Sequence, residues 1–252
     1  MNGNQNIFDD PDFFESYLDL RSGRNFNDLL EQPAILSLLP DITGKKVLDI
    51  GCGYGINCLQ FAQKAEKVVG IDISRRMLNV AMKENSDHNI SYLQLAMEDL
   101  DRLTGPFDLI FSSLAFHYAL DFGKLIEDCA RLLAPGGILL FSQEHPMTTA
   151  AMNTDHRYVK DENGNCFFKV ADYQSEGERH VRWFVDDVIH QHRKISTIVS
   201  TLCHNGFVIT DCVEPKPDRK AIKQLPALAR DLIKPSFIIF RARKGDNHAD
   251  NT

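Results

Sequence analysis

The sequence predicts an α/β fold, a doubly wound and mostly parallel sheet with helices on both faces. Short, nearly continuous apolar runs recur between residues 45 and 142. Stretches with the apolar spacing of helices separate these runs, and a glycine-rich turn follows the first of them. Apolar strands that alternate with helices are typical of a parallel sheet that is covered on both sides.

The apolar runs predict the first five strands. In chain order they are KKVLDI (45–50), KVVGIDI (67–73), ISYLQLA (90–96), FDLIFSS (107–113) and ILLFS (138–142). A helix is predicted over residues 57–64, and a second begins after Ser74, a residue type that favours the N-cap. A third helix begins at residue 122 and is stopped by Pro135-Gly136-Gly137.

The remaining segments complete a single predicted domain over residues 1–252. Residues 1–40 predict a helical cap, and residues 147–187 predict a small antiparallel insert with a hairpin turn at Asn163-Gly164. The pattern then resumes with a helix (188–206), a strand (207–213), a helix broken at Pro226 (219–234) and a last strand (235–244).

Composition narrows the possible partners. The chain has 252 residues and a formal net charge of −7, which argues against a duplex nucleic acid partner. No apolar run approaches 18 residues, and the acidic, polar N-terminus does not resemble a signal peptide. We therefore expect a cytoplasmic monomer or homodimer with no membrane partner. Since no two of the six cysteines have CxxC spacing, neither a disulfide framework nor a metal site is predicted.

The loop after the first strand has the pattern Asp-x-Gly-x-Gly-x-Gly over residues 49–55. A dinucleotide fingerprint requires glycine where Ile56 stands, and a phosphate loop requires a lysine that Ile56 and its successors lack. The Asp49 carboxylate would repel a pyrophosphate, so it suits a ligand with a positive amine or sulfonium. Asp72, at the end of the second strand, can accept hydrogen bonds from both hydroxyls of a ribose.

Five motifs in matching order make the chain resemble the class I S-adenosylmethionine-dependent methyltransferases. They are VLDIGCGYG, GIDIS, AMEDL, FDLIFSSLAFHY and LLAPGGILLFSQEHP, which cover residues 45–145. The resemblance implies a seven-stranded sheet of order 3-2-1-4-5-7-6 with an antiparallel last strand. It implies S-adenosyl-L-methionine as the cofactor and S-adenosyl-L-homocysteine as the product. The helical cap and the long insert resemble the bacterial branch that methylates small molecules.

The resemblance also implies which positions hold the cofactor. The glycine loop would line its methionine part, Asp72 would hold the ribose, and the end of the fourth strand would lie under the sulfonium. By position these residues are Asp49, Gly51, Cys52, Gly53, Asp72, Ile73, Met77, Met97, Glu98 and Ser113 or its neighbours, with Arg21 and Tyr17 closing over the carboxylate. The family often has Asp-Ala where this chain has Ala96-Met97, so the acid on the adenine amino group would be Glu98, Asp99 or missing.

Candidate catalytic residues follow the fourth and fifth strands, where the family's acceptor pocket opens. They are His117, Glu144 and His145. Histidine has an unperturbed pKa of about 6.5 and can take a proton near neutral pH. A base is needed only when the free acceptor is protonated. Residues that would contact an apolar or aromatic acceptor, which could carry a carboxylate, are Tyr17, Tyr118, Tyr173, Arg179 and Trp183.

We therefore predict in-line methyl transfer to oxygen, nitrogen or carbon of a small organic acceptor. The alternatives are a module that binds the cofactor without catalysis, a methyltransferase acting on RNA or protein, and a nicotinamide-dependent oxidoreductase. Ile56 opposes the last of these, and SSLAFHY replaces the tetrapeptide of enzymes that methylate exocyclic amines of nucleic acids. His190 and His192 are expected on the first turn of a helix, on different faces, so no metal pair is predicted there.

Overall fold

A computed structural model describes residues 5–151 and 157–245, and predictions that involve residues 1–4, 152–156 or 246–252 lie outside it. The strands are β1 (Lys46–Ile50), β2 (Lys67–Asp72), β3 (Ile90–Gln94), β4 (Phe107–Ser112), β5 (Leu133–Glu144), β6 (Tyr158–Lys160), β7 (Cys166–Phe168), β8 (Gly177–Trp183), β9 (Val185–His192), β10 (Phe207–Val213) and β11 (Phe237–Lys244). The α-helices are α1 (Pro11–Ser22), α2 (Gln32–Ser37), α3 (Ile56–Ala62), α4 (Arg75–Glu84), α5 (Phe122–Leu132), α6 (Pro146–Thr149), α7 (Ile195–His204) and α8 (Arg219–Gln224).

A seven-stranded sheet of order β10-β11-β5-β4-β1-β2-β3 forms the centre of the molecule. Strands β1 to β5 pair in parallel, whereas β11 runs antiparallel to both β5 and β10. Because β10 and β11 are the sixth and seventh strands of this sheet along the chain, the predicted order 3-2-1-4-5-7-6 is confirmed. The strand order reverses beside β1, and doubly wound sheets bind ligands outside the strand ends at such a point.

Side chains of the central strands alternate between two buried layers. Leu48 and Ile50 of β1 pack in the layer that also contains apolar residues of α5 and α7. Val47 points to the opposite layer, where it joins Phe61 of α3. This alternation follows from the two-residue period of a strand, and it explains why the central strands read as continuous apolar runs.

Helix boundaries follow local signals in the sequence. The predicted cap Ser74 accepts a hydrogen bond from the N–H of Met77 at 3.1 Å, so α4 starts directly after β2. The predicted break is also confirmed, since α8 ends at Gln224 and a 3-10 turn begins at Pro226. None of the helices in the described part of the chain has the length and apolar character of a membrane span.

Two antiparallel hairpins form the insert after β5. Strands β6 and β7 flank the predicted turn at Asn163-Gly164. Strands β8 and β9 form the second hairpin, with Phe184 between them in a left-handed conformation. The described residues between 5 and 40 are largely helical, as predicted.

The last long helix begins later than the sequence predicts. Residues 188–192, expected to open this helix, belong to β9, and α7 starts at Ile195. His190 pairs with Arg179 of β8, so hairpin pairing overrides the helical spacing of this segment. His190 and His192 therefore occupy strand positions two apart, and the expectation that they lie on different faces of a helix is wrong.

Replacing Phe61 by alanine should lower the free energy of unfolding by about 3–5 kcal/mol, because the change leaves a cavity in a packed layer. Phe61 is fully buried and contacts the ring of Phe111 edge to face at 4.9 Å. Urea denaturation followed by circular dichroism measures the change. The matched control is Met82→Ala on α4, where the side chain is 51% exposed. Equal losses in the two variants would contradict the layer assignment.

Candidate functional site

The loop between β1 and α3 has a conformation that glycine adopts most easily. Gly51, Gly53 and Gly55 have φ angles of 71°, 54° and 82°. A Cβ atom at Gly51 would lie 2.5 Å from the Cβ of Ala115, and one at Gly55 would lie 2.2 Å from the Tyr92 hydroxyl. At Gly53, by contrast, a Cβ atom would meet nothing within 4 Å. The loop therefore presents bare backbone to open space at the carboxyl end of the sheet.

Asp72, at the end of β2, fastens this loop to the sheet. Its Oδ2 accepts the N–H of Gly53 at 2.8 Å, and its Oδ1 accepts the N–H of Ser74 at 2.8 Å. Burial raises the pKa of the carboxyl to about 6, although both N–H groups favour the charged form. Each oxygen keeps a further lone pair, so Asp72 can also accept hydrogen bonds from ligand hydroxyls.

A cavity of about 920 Å³ opens at this edge of the sheet. Many of the residues predicted to bind the cofactor or the acceptor line it. They are Tyr17, Arg21, Gly51, Gly53, Asp72, Ile73, Met77, Met97, Glu98, Ser113, Leu114, Tyr118, Arg179 and Trp183. This volume lies near the upper end of the range for ligand pockets, so the cavity has room for two small molecules side by side.

Arg21 of α1 borders the cavity from the helical cap. Its Nε donates to the Tyr54 hydroxyl at 3.0 Å, and its Nη2 forms an ion pair with Asp28 at 3.0 Å. Its Nη1 donates to Asn25 at 3.2 Å. These partners hold the guanidinium beside the glycine loop, where it can pair with the carboxylate of a ligand.

Leu114 forms the floor of the cavity just past β4. Its φ angle is 54°, in a region that costs a residue with a side chain about 1–2 kcal/mol. Its N–H donates to the hydroxyl of Ser142 at 3.0 Å and to the carbonyl of Ser142 at 3.1 Å. These bonds offset the strain and fix the chain where it leaves the sheet.

Glu31 is a buried carboxylate that the sequence analysis did not identify. Its Oε1 accepts hydroxyl hydrogens from Ser142 at 2.5 Å and from Ser113 at 3.0 Å. Burial raises its pKa to about 7, although the serine bonds oppose this change. The available signal was an acid within the apolar segment LLEQPAIL, at the end of a π-helical turn that leads into α2. Glu31 joins the helical cap to the cavity floor.

His117, Glu144 and His190 meet in another part of the cavity wall. Glu144 Oε2 accepts a hydrogen bond from Nδ1 of His190 at 2.8 Å, and His117 Nδ1 accepts the Glu144 N–H at 3.4 Å. Burial lowers the pKa of His117 to about 3, so this imidazole is neutral at neutral pH. Burial opposes ionisation of Glu144, but the interaction and hydrogen bond with His190 lower the pKa of this carboxyl to about 2.

Comparisons with known proteins agree with this geometry. The family model described as "Methyltransferase domain" matches residues 48–141. The solved S-adenosylmethionine dependent methyltransferase of Mesorhizobium loti is 34% identical, covers 84% of this chain and 97% of its own, and has a TM-score of 0.78. The chain belongs to the S-adenosylmethionine-dependent methyltransferases.

Further relatives of this methyltransferase differ in the share of its chain that they cover. A solved methyltransferase of Listeria monocytogenes is 34% identical, covers 86% of this chain and 97% of its own, and has a TM-score of 0.79. An uncharacterised protein of Haemophilus influenzae is 36% identical over 223 residues, which are 85% of this chain and 88% of that protein. The ubiquinone biosynthesis O-methyltransferase of Acinetobacter baylyi is 35% identical over 105 residues, only 40% of this chain and 44% of that protein.

S-adenosyl-L-methionine is therefore the cofactor of this methyltransferase, and the residues of the cavity fit it. The bare backbone at Gly53 admits the methionine part without a steric clash. Asp72 offers lone pairs to the ribose hydroxyls, and Arg21 offers a cation to the carboxylate. The assignment of each residue to one part of the cofactor stays a prediction.

Asp49 and Cys52 do not line the cavity of this methyltransferase. Asp49 is 1% exposed, and its Oδ2 accepts a hydrogen bond from the thiol of Cys58 at 3.4 Å. Burial raises its pKa to about 7. Its side chain alternates into the layer beneath the loop, which corrects the expectation that it contacts the methionine part.

His145 is corrected from a candidate base to a helix cap. Its Nδ1 accepts the N–H of Met147 at 3.0 Å, and its Nε2 bonds to Glu214 at 2.9 Å. Both ring nitrogens are therefore occupied, and the residue does not line the cavity. Burial lowers its pKa. No lone pair remains on His145 to remove a proton from an acceptor.

Tyr173 and Arg179 hold the insert together, which corrects their predicted role as acceptor contacts. The Tyr173 hydroxyl accepts the N–H of Ile195 at 3.2 Å, and the residue does not line the cavity. Arg179 borders the cavity, but its Nε donates to the carbonyl of Ala150 at 2.9 Å and its Nη1 to that of Glu178 at 3.0 Å. Backbone carbonyls thus use the guanidinium donors that an acceptor carboxylate would need.

Replacing Asp72 by asparagine should weaken binding of S-adenosyl-L-homocysteine by on the order of 2 kcal/mol, about 30-fold. An amide has one acceptor oxygen and cannot satisfy both backbone N–H groups and the ribose. Isothermal titration calorimetry measures the affinity. The control is Asp101→Asn, because Asp101 is exposed and does not line the cavity. Unchanged affinity in the Asp72 variant would show that this carboxylate does not hold the ribose.

Affinity for S-adenosyl-L-homocysteine should fall as the pH drops through about 6, since protonated Asp72 loses acceptor capacity. The carboxyl has a folded pKa above its unfolded value of 3.8, so its protonation does not destabilise the fold. Titrations between about pH 5 and pH 8, with thermal unfolding at each pH, separate the two effects. The Asp72→Asn protein should lack this pH dependence. A similar decline in that variant would assign the effect to another group.

Proposed function

We propose that this methyltransferase acts on a small organic acceptor with an aromatic or apolar body and a hydroxyl or amine as the methyl-accepting group. The observation that carries the proposal is the composition of the cavity beyond the cofactor residues. There, the cluster His117–Glu144–His190, in which both histidines are buried, shares one space with the rings of Phe8, Tyr118 and Trp183. We call this space the acceptor chamber.

Aromatic contacts between the helical cap and the β8–β9 hairpin form the roof of the chamber. The ring of Trp183 packs edge to face against Phe13 at 5.2 Å and Tyr17 at 6.1 Å. Phe8 contacts Tyr17 at 5.2 Å and Tyr118 at 6.1 Å. Such rings favour a flat or apolar ligand body, which can stack on them or meet their edges.

The His117–Glu144–His190 cluster supports an acceptor that loses a proton. A lone pair of the acceptor attacks the methyl carbon, and the carbon–sulfur bond breaks with its electron pair passing to sulfur. The acceptor proton passes to the cluster, where the ionised Glu144 stabilises the positive charge that results. Holding acceptor, methyl and sulfur in line is the protein's other contribution, and it lowers the entropic cost of the step.

The chamber also argues against a macromolecular acceptor. Phe13 of α1 and Trp183 of the β8–β9 hairpin are in contact across the roof of the chamber, which leaves less room for a macromolecular segment. The net charge of −7 does not favour a polyanion. The similarity to the ubiquinone biosynthesis enzyme spans only 40% of this chain, so it does not identify the acceptor.

A panel of phenols, aromatic amines and aliphatic alcohols tests the proposal directly. With radiolabelled S-adenosyl-L-methionine, we expect methyl transfer to the aromatic members and little to the aliphatic ones. RNA and a protein lysate serve as competing acceptors. Transfer only to macromolecules would overturn the proposal. Cofactor binding without turnover on any member would favour the alternative of a non-catalytic binding module.

His190→Ala should lower kcat by about 100-fold or more, because the cluster loses the group that Glu144 pairs with. The affinity for S-adenosyl-L-homocysteine should stay within about twofold, since His190 is not among the predicted cofactor residues. Steady-state kinetics and calorimetry give the two numbers. The control is His180→Ala on the neighbouring strand, where the side chain is exposed and outside the cavity lining. Equal kcat values for the two variants would remove His190 from the mechanism.

A further inference from the structure

The His117–Glu144–His190 cluster has the geometry of a metal site as well as that of an acid–base pair. One ligand atom from each residue lies within 4.8 Å of the other two. The three residues come from three separate elements: the turn after β4, the end of β5, and β9. Two imidazoles and a carboxylate from distant segments of the chain thus meet in one cavity wall, and only the folded chain brings them together.

The buried Nε2 of His190 is an independent sign of a ligand. His190 is 5% exposed, its Nδ1 bonds to Glu144, and its Nε2 has no hydrogen-bond partner among the described residues. A buried polar atom without a partner costs about 1–3 kcal/mol, so proteins rarely keep one that serves no purpose. Because the two ring nitrogens point in opposite directions, an ion shared with Glu144 would bind Nδ1 in place of the present hydrogen bond, and the bare Nε2 remains available to a bound acceptor.

We propose that His117, Glu144 and His190 bind a divalent first-row transition-metal ion, with open coordination positions that face the acceptor chamber. Two imidazole nitrogens and one carboxylate oxygen suit zinc, iron, cobalt or manganese. Calcium and magnesium are disfavoured, because they require more oxygen ligands than a single carboxylate provides. Bonds of about 2.1 Å place such ligand atoms roughly 3–3.5 Å apart, so binding draws the three side chains slightly together.

Two nearby cations bear on the affinity of the site for an ion. Lys234 and Arg157 lie near enough to interact with the Glu144 carboxylate, and their charges oppose a cation. Affinity therefore depends on nitrogen coordination rather than on net charge.

The ion adds a catalytic group to the proposed function, and its role in catalysis rests on that function. An acceptor hydroxyl that coordinates the ion becomes more acidic, because the metal stabilises the oxyanion that remains after the proton leaves. With the ion bound, the ligand atoms of the cluster take no proton, so the acceptor proton passes to solvent instead of to the cluster. The oxygen lone pair then attacks the methyl carbon, and sulfur receives the electron pair of the broken bond. Acceptors with an oxygen nucleophile are then the preferred class.

Cobalt binding, measured without any acceptor, tests the site. We titrate the metal-free full chain with Co²⁺ and expect one equivalent with visible absorption of nitrogen and oxygen coordination, without the sulfur-to-cobalt band that thiolates give. His190→Gln and Glu144→Gln should each weaken binding by about 100-fold or more, as expected for loss of a ligand. Circular dichroism and S-adenosyl-L-homocysteine affinity establish that each variant is folded.

His145→Gln is the matched control, because the buried His145 forms another histidine–glutamate contact, with Glu214 at 2.9 Å, and no third ligating side chain joins them among the described residues. This variant should bind Co²⁺ as the parent protein does. Absence of binding in the parent, a thiolate spectrum, or equal affinity in parent and His190→Gln would overturn the metal site. If methyl transfer persists in a chelator, the ion's use in the reaction is overturned while the proposed function stands. Co²⁺ binding without transfer to any panel member overturns the proposed function alone.

Discussion

The bond between Asp72 and the backbone of Gly53 is the constraint on which the cofactor site depends. One carboxylate holds the glycine loop through Gly53 and the start of α4 through Ser74, both at 2.8 Å. The loop, the end of β2 and the first turn of α4 are thereby fixed relative to one another. Burial makes this carboxylate expensive to ionise, so a ligand that hydrogen-bonds it also relieves an unfavourable state of the free protein.

A second set of bonds connects the cavity floor to the helical cap. The hydroxyl of Ser142 at the sheet edge donates to Glu31, while Ser142 also accepts the N–H of Leu114. Glu31 also accepts a hydrogen bond from the Ser113 hydroxyl, so the turn after β4 cannot move independently of the helical cap. The cap and the floor therefore act as one frame around the cavity.

Local patterns were sufficient to predict the sheet and many of the residues that line the cavity at its carboxyl edge. Strand periodicity, the glycine spacing and the cap at Ser74 act over a few residues, so tertiary contacts reinforce them without changing them. Predictions failed where the direction of a side chain mattered. The Asp49 side chain points beneath its loop, and both ring nitrogens of His145 are hydrogen-bonded, one to Met147 and one to Glu214. Nothing local distinguishes a histidine that faces a cavity from one that caps a helix, because both follow a strand.

The sequence by itself determined the fold, the strand order, the cofactor and the position of Asp72 near the point where the strand order of the sheet reverses. Only the tertiary structure decided which groups line the proposed acceptor chamber. His190 reaches Glu144 because β9 pairs with β8, whereas the spacing of its segment predicts a helix. Hairpin pairing joins residues that are distant along the chain, and its energy depends on contacts that no short window of sequence contains. For that reason the acceptor chamber is a product of the folded chain rather than of any motif.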